Sequence, residues 1–249
     1  MLDRRLYRPL LGSCLGLVVS ACAPPVTAWH GATPETWPAL RNALVLERDS
    51  RPTRPWIAGV GVTMREPRSG RVIRGRGGLA VVPGRALRMI LVGVAGVTML
   101  DAWVTPGRWR VAVPMLGVLR RGGADDPGDL PIGFLRWWFF TPLEGRLFAA
   151  TFDRAGPMWL LRDEDAVVEL RAGACERGPR VLATRRRRGQ AESVDECRAG
   201  RGPTVGDHVR YEDAGSGLVV ELVLESVSTE PPVAEAFVDP DAEQTAGTR

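Results

Sequence analysis

Thr98-Met99-Leu100-Asp101-Ala102-Trp103-Val104-Thr105-Pro106-Gly107-Arg108-Trp109-Arg110-Val111-Ala112-Val113 decides the fold. Two strand-like runs flank Thr105-Pro106-Gly107, a strong turn signal. In the second run Trp109, Val111 and Val113 share one face, and Arg108 and Arg110 share the other. A strand, a tight turn and a strand make an antiparallel hairpin. The same pattern extends both ways. Trp56–Met64, Val72–Val82 and Ala86–Gly93 come before, separated by Pro67-Arg68-Ser69-Gly70 and Pro83-Gly84. Arg146–Phe152, Met158–Leu161, Ala166–Ala172, Arg180–Thr184, His208–Glu212 and Leu218–Ser228 follow. Leu218, Val220, Leu222 and Leu224 in the last face one way. The expected fold class is mainly β (α+β), a meander building one large curved antiparallel sheet. A sheet this long must curl or be covered.

Two segments read as helices instead. Thr33-Pro34-Glu35-Thr36 is a helix start, with a capping residue and Pro in the first turn. Trp37, Leu40 and Leu44 then recur at helical spacing to about Glu47. Between the two groups of strands, Arg120–Leu130 reads as a polar loop, with Asp129 capping a helix from Leu130 or Pro131 to about Phe140. That helix holds Phe134-Leu135-Arg136-Trp137-Trp138-Phe139-Phe140, apolar nearly all round, which predicts burial. Helices on the concave side of a curved sheet leave an apolar space between the two layers.

The chain start sets the compartment. Arg4, Arg5 and Arg8 precede an apolar run, Leu10 to Val19, and then Val19-Ser20-Ala21-Cys22. This is the layout of a secretory signal peptide. A Cys directly after the small residues resembles the bacterial lipobox, in which that Cys is acylated and becomes the new N-terminus. The resemblance makes residues 1–21 the signal, Cys22 the lipidation site and 22–33 a Pro-, Ala- and Thr-rich tether. The apolar run is shorter than the roughly 20 residues that span hydrocarbon. The alternative is an ordinary signal peptide with a chance Cys. Ala23 and Pro24 after the Cys, rather than Asp, point by the same resemblance to the outer membrane, with the domain facing the periplasm.

Removing residues 1–21 takes Asp3 and three arginines with it, leaving 30 basic and 28 acidic residues among 228. That near-balance argues against nucleic acid as a partner, despite a sequence pI of 9.3. Residues 34–240 form the expected folded domain, and 241–249 read as a disordered tail. Cys175 and Cys197, an even pair in an exported chain, read as a disulfide contributing about 3 kcal/mol.

No catalytic, metal or cofactor site is expected. His30 lies in the tether, and His208 beside Asp207 is a surface histidine rather than part of a triad. Gly75-x-Gly77-Gly78 lacks the ending of a phosphate loop and reads as strand glycines at a bend or bulge. Asp163-Glu164-Asp165 reads as a hairpin tip. Arg185-Arg186-Arg187-Arg188 is a solvated loop tip or a contact for an anionic lipid or acidic partner.

Three stretches resemble the LolA/LolB superfamily of lipoprotein carriers and outer-membrane lipoprotein receptors. They are Gly75–Pro83 with Leu87–Leu91, the segment Leu130–Trp138 ending in Leu135-Arg136-Trp137-Trp138, and Pro231–Pro240. The resemblance implies an unclosed β-barrel with helices covering its concave side. It implies a non-enzymatic lipoprotein that binds lipid or lipoprotein acyl chains; the oligomeric state is open, with monomer the default. Leu87, Met89, Leu91, Trp109, Val111, Trp137 and Trp138 are the expected lipid-binding residues, with Arg88 or Arg136 meeting a headgroup. Gly93–Val97 matches the family's membrane-contact loop through Val94, Ala95 and Val97, without the protruding Leu found in LolB. The alternative is a structural or assembly lipoprotein of an envelope complex, its cavity filled by its own Trp and Phe side chains.

Overall fold

The computed structural model describes residues 31–67, 69–93, 96–124, 132–228 and 230–241. The expected signal, Cys22, most of the tether, Val94, Ala95 and residues 242–249 lie outside the described residues.

One antiparallel sheet dominates. Its strands are β1 (Trp56–Arg65), β2 (Val72–Val82), β3 (Ala86–Val92), β4 (Thr98–Val104), β5 (Arg108–Val113) and β6 (Val118–Gly123), then β7 (Arg146–Phe152), β8 (Pro157–Asp163), β9 (Ala166–Cys175), β10 (Gly178–Arg187), β11 (Gln190–Cys197), β12 (His208–Asp213) and β13 (Val219–Ser228). Their spatial order is β6-β5-β4-β3-β2-β1-β13-β12-β11-β10-β9-β8-β7. Two consecutive meanders are therefore joined where β1 pairs with β13, and β6 and β7 are left as edges of an unclosed barrel. The β7 edge is partly covered, since the Ala32 N–H donates to the Ala150 carbonyl at 2.9 Å. Register shifts at Gly59/Val60, Leu91/Val92 and Leu147/Ala149 mark bulges, which bend strands and deepen their twist.

Alternation fills the concave face. Val60, Leu79, Leu87, Val111, Leu170 and Leu222 all point into one core. Gly77 lets β2 and β3 approach: a Cβ there would lie 1.8 Å from the Ile90 carbonyl oxygen.

The two helices occupy this concave side. Helix α1 (Trp37–Asp49) buries Leu40 and Leu44 against β7 and β8, and Trp159 donates its indole N–H to the Leu40 carbonyl at 2.8 Å. It begins one turn later than the sequence predicts. Pro34–Thr36 form a turn, in which Thr33 and Thr36 bond to each other rather than capping the helix. Helix α2 (Ile132–Phe140) lies between the edge strands in sequence and crosses the core, with Phe134 stacked on Tyr211 of β12 at 4.8 Å and contacts to β3 and β4.

Two expectations are corrected. Residues 118–123 are a strand, where Arg120–Leu130 read as a loop. An edge strand carries polar residues on both faces, and Gly122 lies beneath the Trp109 ring, so no apolar alternation marks it. Strand β11 was absent from the sequence reading, and β10 runs on through Arg187. Both are polar outside and are knitted by cross-strand pairs such as Arg180–Asp195 and Arg185–Glu192 rather than by apolar contacts. The arginine tract is accordingly mostly strand, and only Arg188-Gly189 make the turn.

Cys175 and Cys197 are bonded, with Cα atoms 6.0 Å apart, tying β9 to β11 across the start of β10. The Pro231–Pro240 segment lies against β3–β5. Its Phe237 carbonyl accepts from the Trp103 indole at 2.9 Å, and Asp239 and Asp241 pair with Arg108, Arg110 and Arg121.

Candidate functional site

A pocket of about 410 Å³ opens between the concave face and the helices. That volume falls in the range of roughly 300–1,000 Å³ typical of small-molecule sites. One wall is sheet: Trp56, Val81, Val209, Leu222 and Leu224. The other is the end of α2 and the loop after it: Trp138, Phe139, Phe140, Pro142 and Leu143. Strand alternation supplies the first wall. The second exists because Pro142 ends a mostly apolar helix and turns the chain back toward β7.

Polar residues gather at one side of this apolar space. Arg51 follows the end of α1, and Glu196 and Arg198 flank Cys197 at the end of β11. The Arg51 guanidinium sits over the Trp138 ring, 4.6 Å from its centroid. Its Nη1 is 2.6 Å from Glu196 Oε2. Trp138 donates its indole N–H to Glu196 Oε1 at 3.3 Å. Arg198 donates to Glu47 Oε1 and to the Ser50 hydroxyl, fastening β11 to α1. Arg48 donates to the Leu143 and Gly145 carbonyls at 3.0 and 2.9 Å, fixing the loop that forms the pocket rim. Asp207 accepts from the amides of Ala199 and Thr204. Burial pushes the Arg51 guanidinium below its ordinary value, against the raising effect of Glu196.

Of the expected lipid-binding residues, Trp138 lines this pocket. Leu87, Met89, Leu91, Trp109, Val111 and Trp137 are buried in the core alongside and do not line it. Trp137 is covered by Arg185 at 4.6 Å, and Trp109 by its packing over Gly122. The two arginines expected at a headgroup are engaged elsewhere. Arg88 pairs with Asp101 at 2.8 Å, and Arg136 donates to the carbonyls of Thr105, Gly123 and Ala124. The arginine tract is paired throughout: Arg185 with Glu192, Arg186 with Glu169, and Arg187 and Arg188 with Asp165. Asp165 itself belongs to the β8–β9 turn, as its sequence predicted. Val97 is exposed at the end of β3 and β4, and Met115 and Leu116 are exposed in the β5–β6 connection at the same end of the sheet.

Sequence reading passed over Arg51, Glu196, Arg198 and the Phe140–Gly145 loop. The arginines stand in breaks between elements, amid 33 arginines, where no periodicity marks them. The one local sign was Phe139-Phe140-Thr141-Pro142, an aromatic pair directly before a helix stop.

Among the described residues no helix is long and apolar enough to cross a membrane. No protein-family model and no curated protein matches this chain. Solved structures with a similar layout include a LolA superfamily protein from Nitrosomonas europaea, at 13% identity and TM-score 0.48, over 80% of this chain and 97% of that one. A DUF1329 family protein from Desulfovibrio piger aligns at 11% identity and TM-score 0.48, over 82% and 98% of the two chains. A domain named as an outer membrane lipoprotein-sorting protein from Vibrio parahaemolyticus aligns at 12% identity and TM-score 0.46, over 79% and 95%. At such values no residue role or ligand passes from one chain to another. What stands by itself is the architecture: among the described residues, thirteen antiparallel strands in an unclosed barrel with helices on the concave side.

Proposed function

We propose that this chain is an outer-membrane-anchored lipoprotein, tethered through Cys22, whose periplasmic domain binds an acyl chain of a lipid or lipoprotein without catalysing a reaction. One observation carries the reading. The concave side is not fully packed, and what remains is an open apolar pocket between Trp56, Leu222 and Leu224 on the sheet and Trp138 and Phe140 on α2. Moving an acyl chain from water onto these walls gains roughly 0.8 kcal/mol per buried CH₂. The anchor keeps this pocket near a membrane. Val97, Met115 and Leu116 form an exposed apolar end that can touch a lipid surface.

The test uses the full chain with Cys22→Ser, exported to a periplasm without an anchor of its own. Native mass spectrometry is expected to show a co-purifying acyl species. Thr141→Trp, which fills the pocket from a half-buried rim position, is expected to remove that species while the fold is kept. A clean apo mass with no uptake of added phospholipid or acylated peptide would mean that the function lies in surface contacts with envelope proteins. Labelling with radioactive palmitate is expected for the wild-type chain and not for Cys22→Ser.

A further inference from the structure

We infer that the end of the sheet from which Met115 and Leu116 project docks on an anionic phospholipid surface. The apolar tips enter the lipid, and Arg65, Arg71, Arg74 and Arg120 meet the headgroup phosphates. This rests on the membrane tether proposed above and not on the acyl pocket.

Meander topology gathers the parts. The β1–β2, β3–β4 and β5–β6 connections all lie at one end of neighbouring strands. The β5–β6 connection holds a 3-10 turn, Pro114–Leu116, that buries none of its residues. Leu116 and Met115 are 74% and 67% exposed, the highest values for large apolar side chains among the described residues. They do not sit on a slack loop. The Gly117 N–H donates to the Pro114 carbonyl at 3.0 Å, and Gly117 closes the turn with a left-handed φ of 61°. Val97 before β4, Leu119 in β6, and Val72 and Ile73 at the start of β2 are exposed around them. An exposed apolar cluster of this kind marks a surface that is covered in use.

Charge indicates what covers it. Many arginines of this sheet face carboxylates, as Arg180 faces Asp195, Arg185 faces Glu192 and Arg76 faces Glu225. Arg65, Arg71, Arg74 and Arg120 stand at or near this end, exposed and without a carboxylate partner among the described residues. The acids close by are engaged. Glu66 accepts from the Ser69 amide at 2.7 Å, Asp213 accepts from Gly215 and Ser216 of its own turn, and Asp241 pairs with Arg110 and Arg121. The end is therefore cationic and aliphatic, and it projects as separate turns rather than forming a groove. A layer of phosphates over hydrocarbon complements both properties at once.

The tether reaches far enough. From Cys22 to Ala32, whose N–H is fixed on β7, the chain extends at most about 35 Å. Strand β1 runs from Trp56 in the pocket wall to Arg65 at this end, a length of about 30 Å. Docking turns the Trp56 and Pro83 side of the pocket away from the lipid.

The experiment uses residues 23–249, which keep every described residue, exported behind a cleavable signal peptide. Binding is measured by co-sedimentation with vesicles of phosphatidylcholine alone and with about one-third phosphatidylglycerol, at about 0.1 M salt. Binding to the anionic vesicles is expected to be at least about tenfold tighter. The variant Arg65→Gln/Arg71→Gln/Arg74→Gln/Arg120→Gln is expected to abolish that preference. A control with the same loss of charge at exposed arginines elsewhere, Arg41→Gln/Arg54→Gln/Arg85→Gln/Arg154→Gln, is expected to reduce it less than about threefold. Met115→Ser/Leu116→Ser is expected to weaken binding to the anionic vesicles at least about tenfold. All these positions are exposed, so the fold is kept. Equal binding to both vesicles, or equal effects of the two arginine variants, would overturn the headgroup assignment. Unchanged binding by the Met115/Leu116 variant would overturn insertion. No binding to either vesicle, with palmitate still found on wild-type Cys22, would overturn the docking and leave the tether standing. Absence of that label would remove the tether reading instead.

Discussion

Trp137 and Trp138 are neighbours on one helix, and each lies 4.6 Å beneath a guanidinium. Each of those arginines pairs with a glutamate of β11, Arg185 with Glu192 and Arg51 with Glu196. The resemblance ends there. Arg185 gives both Nε and Nη2 to Glu192, and Tyr211 adds its hydroxyl to the same carboxylate at 3.2 Å. Arg51 gives one nitrogen to Glu196, while its Nε and Nη2 are buried without an acceptor. One assembly is closed by its own side chains and serves packing. The other borders the open pocket, with Trp138 as part of its wall. The same residue types, at adjacent helix positions, serve packing in one case and wall the pocket in the other.

The comparison breaks most sharply at the tryptophans. Trp137→Ala is expected to cost about 4–5 kcal/mol in denaturant unfolding, because the sealed core cannot collapse around the void. Trp138→Ala is expected to cost about 3 kcal/mol, its void merging with a pocket already open to solvent. Equal costs would contradict a difference between the two sites.

The glutamates give the next largest effect. Glu196→Ala strands Arg51 and Arg198 without their shared carboxylate, for an expected loss of about 3 kcal/mol. Glu192→Ala is expected to cost about 1–2 kcal/mol, since Arg185 sits nearer solvent. Thermal unfolding of both variants at one pH ranks them.

The smallest effect is a pH dependence. Burial, then the Glu192 charge, push the Tyr211 phenol well above its ordinary value. A raised folded-state value stabilises fully below the unfolded tyrosine range, near 10, and is lost as pH rises through the alkaline range. Tyr211→Phe is expected to remove that alkaline loss while changing stability at pH 7 by about 1 kcal/mol or less. An unchanged alkaline slope would contradict the closed assembly.

Much of the fold was legible because it rests on apolar alternation. β2, β4, β5 and β7 have the bounds their sequences predict, and Leu40 and Leu44 face the core as their spacing requires. Elements held by charge were not legible. β6 has an edge strand's polar faces, and Gln190–Cys197 shows few apolar residues because its Glu192 and Asp195 pair with arginines of β10. The disulfide needed only cysteine counting. The site was legible in kind but not in place. Aromatics of α2 reach it through Trp138, but which of the consecutive tryptophans meets the pocket depends on helix rotation against a sheet whose curvature no local pattern encodes. The polar side of the pocket joins Ser50–Arg51 to Glu196–Arg198, about 145 residues apart, and only tertiary packing brings them together.

The most direct measurement is a crystal structure with 12-bromododecanoate bound, located by anomalous scattering. The account predicts the bromoalkyl chain within this pocket, against Trp138, Phe140 and Leu224. Bromine density elsewhere on the concave side, or none at saturating ligand, would contradict it.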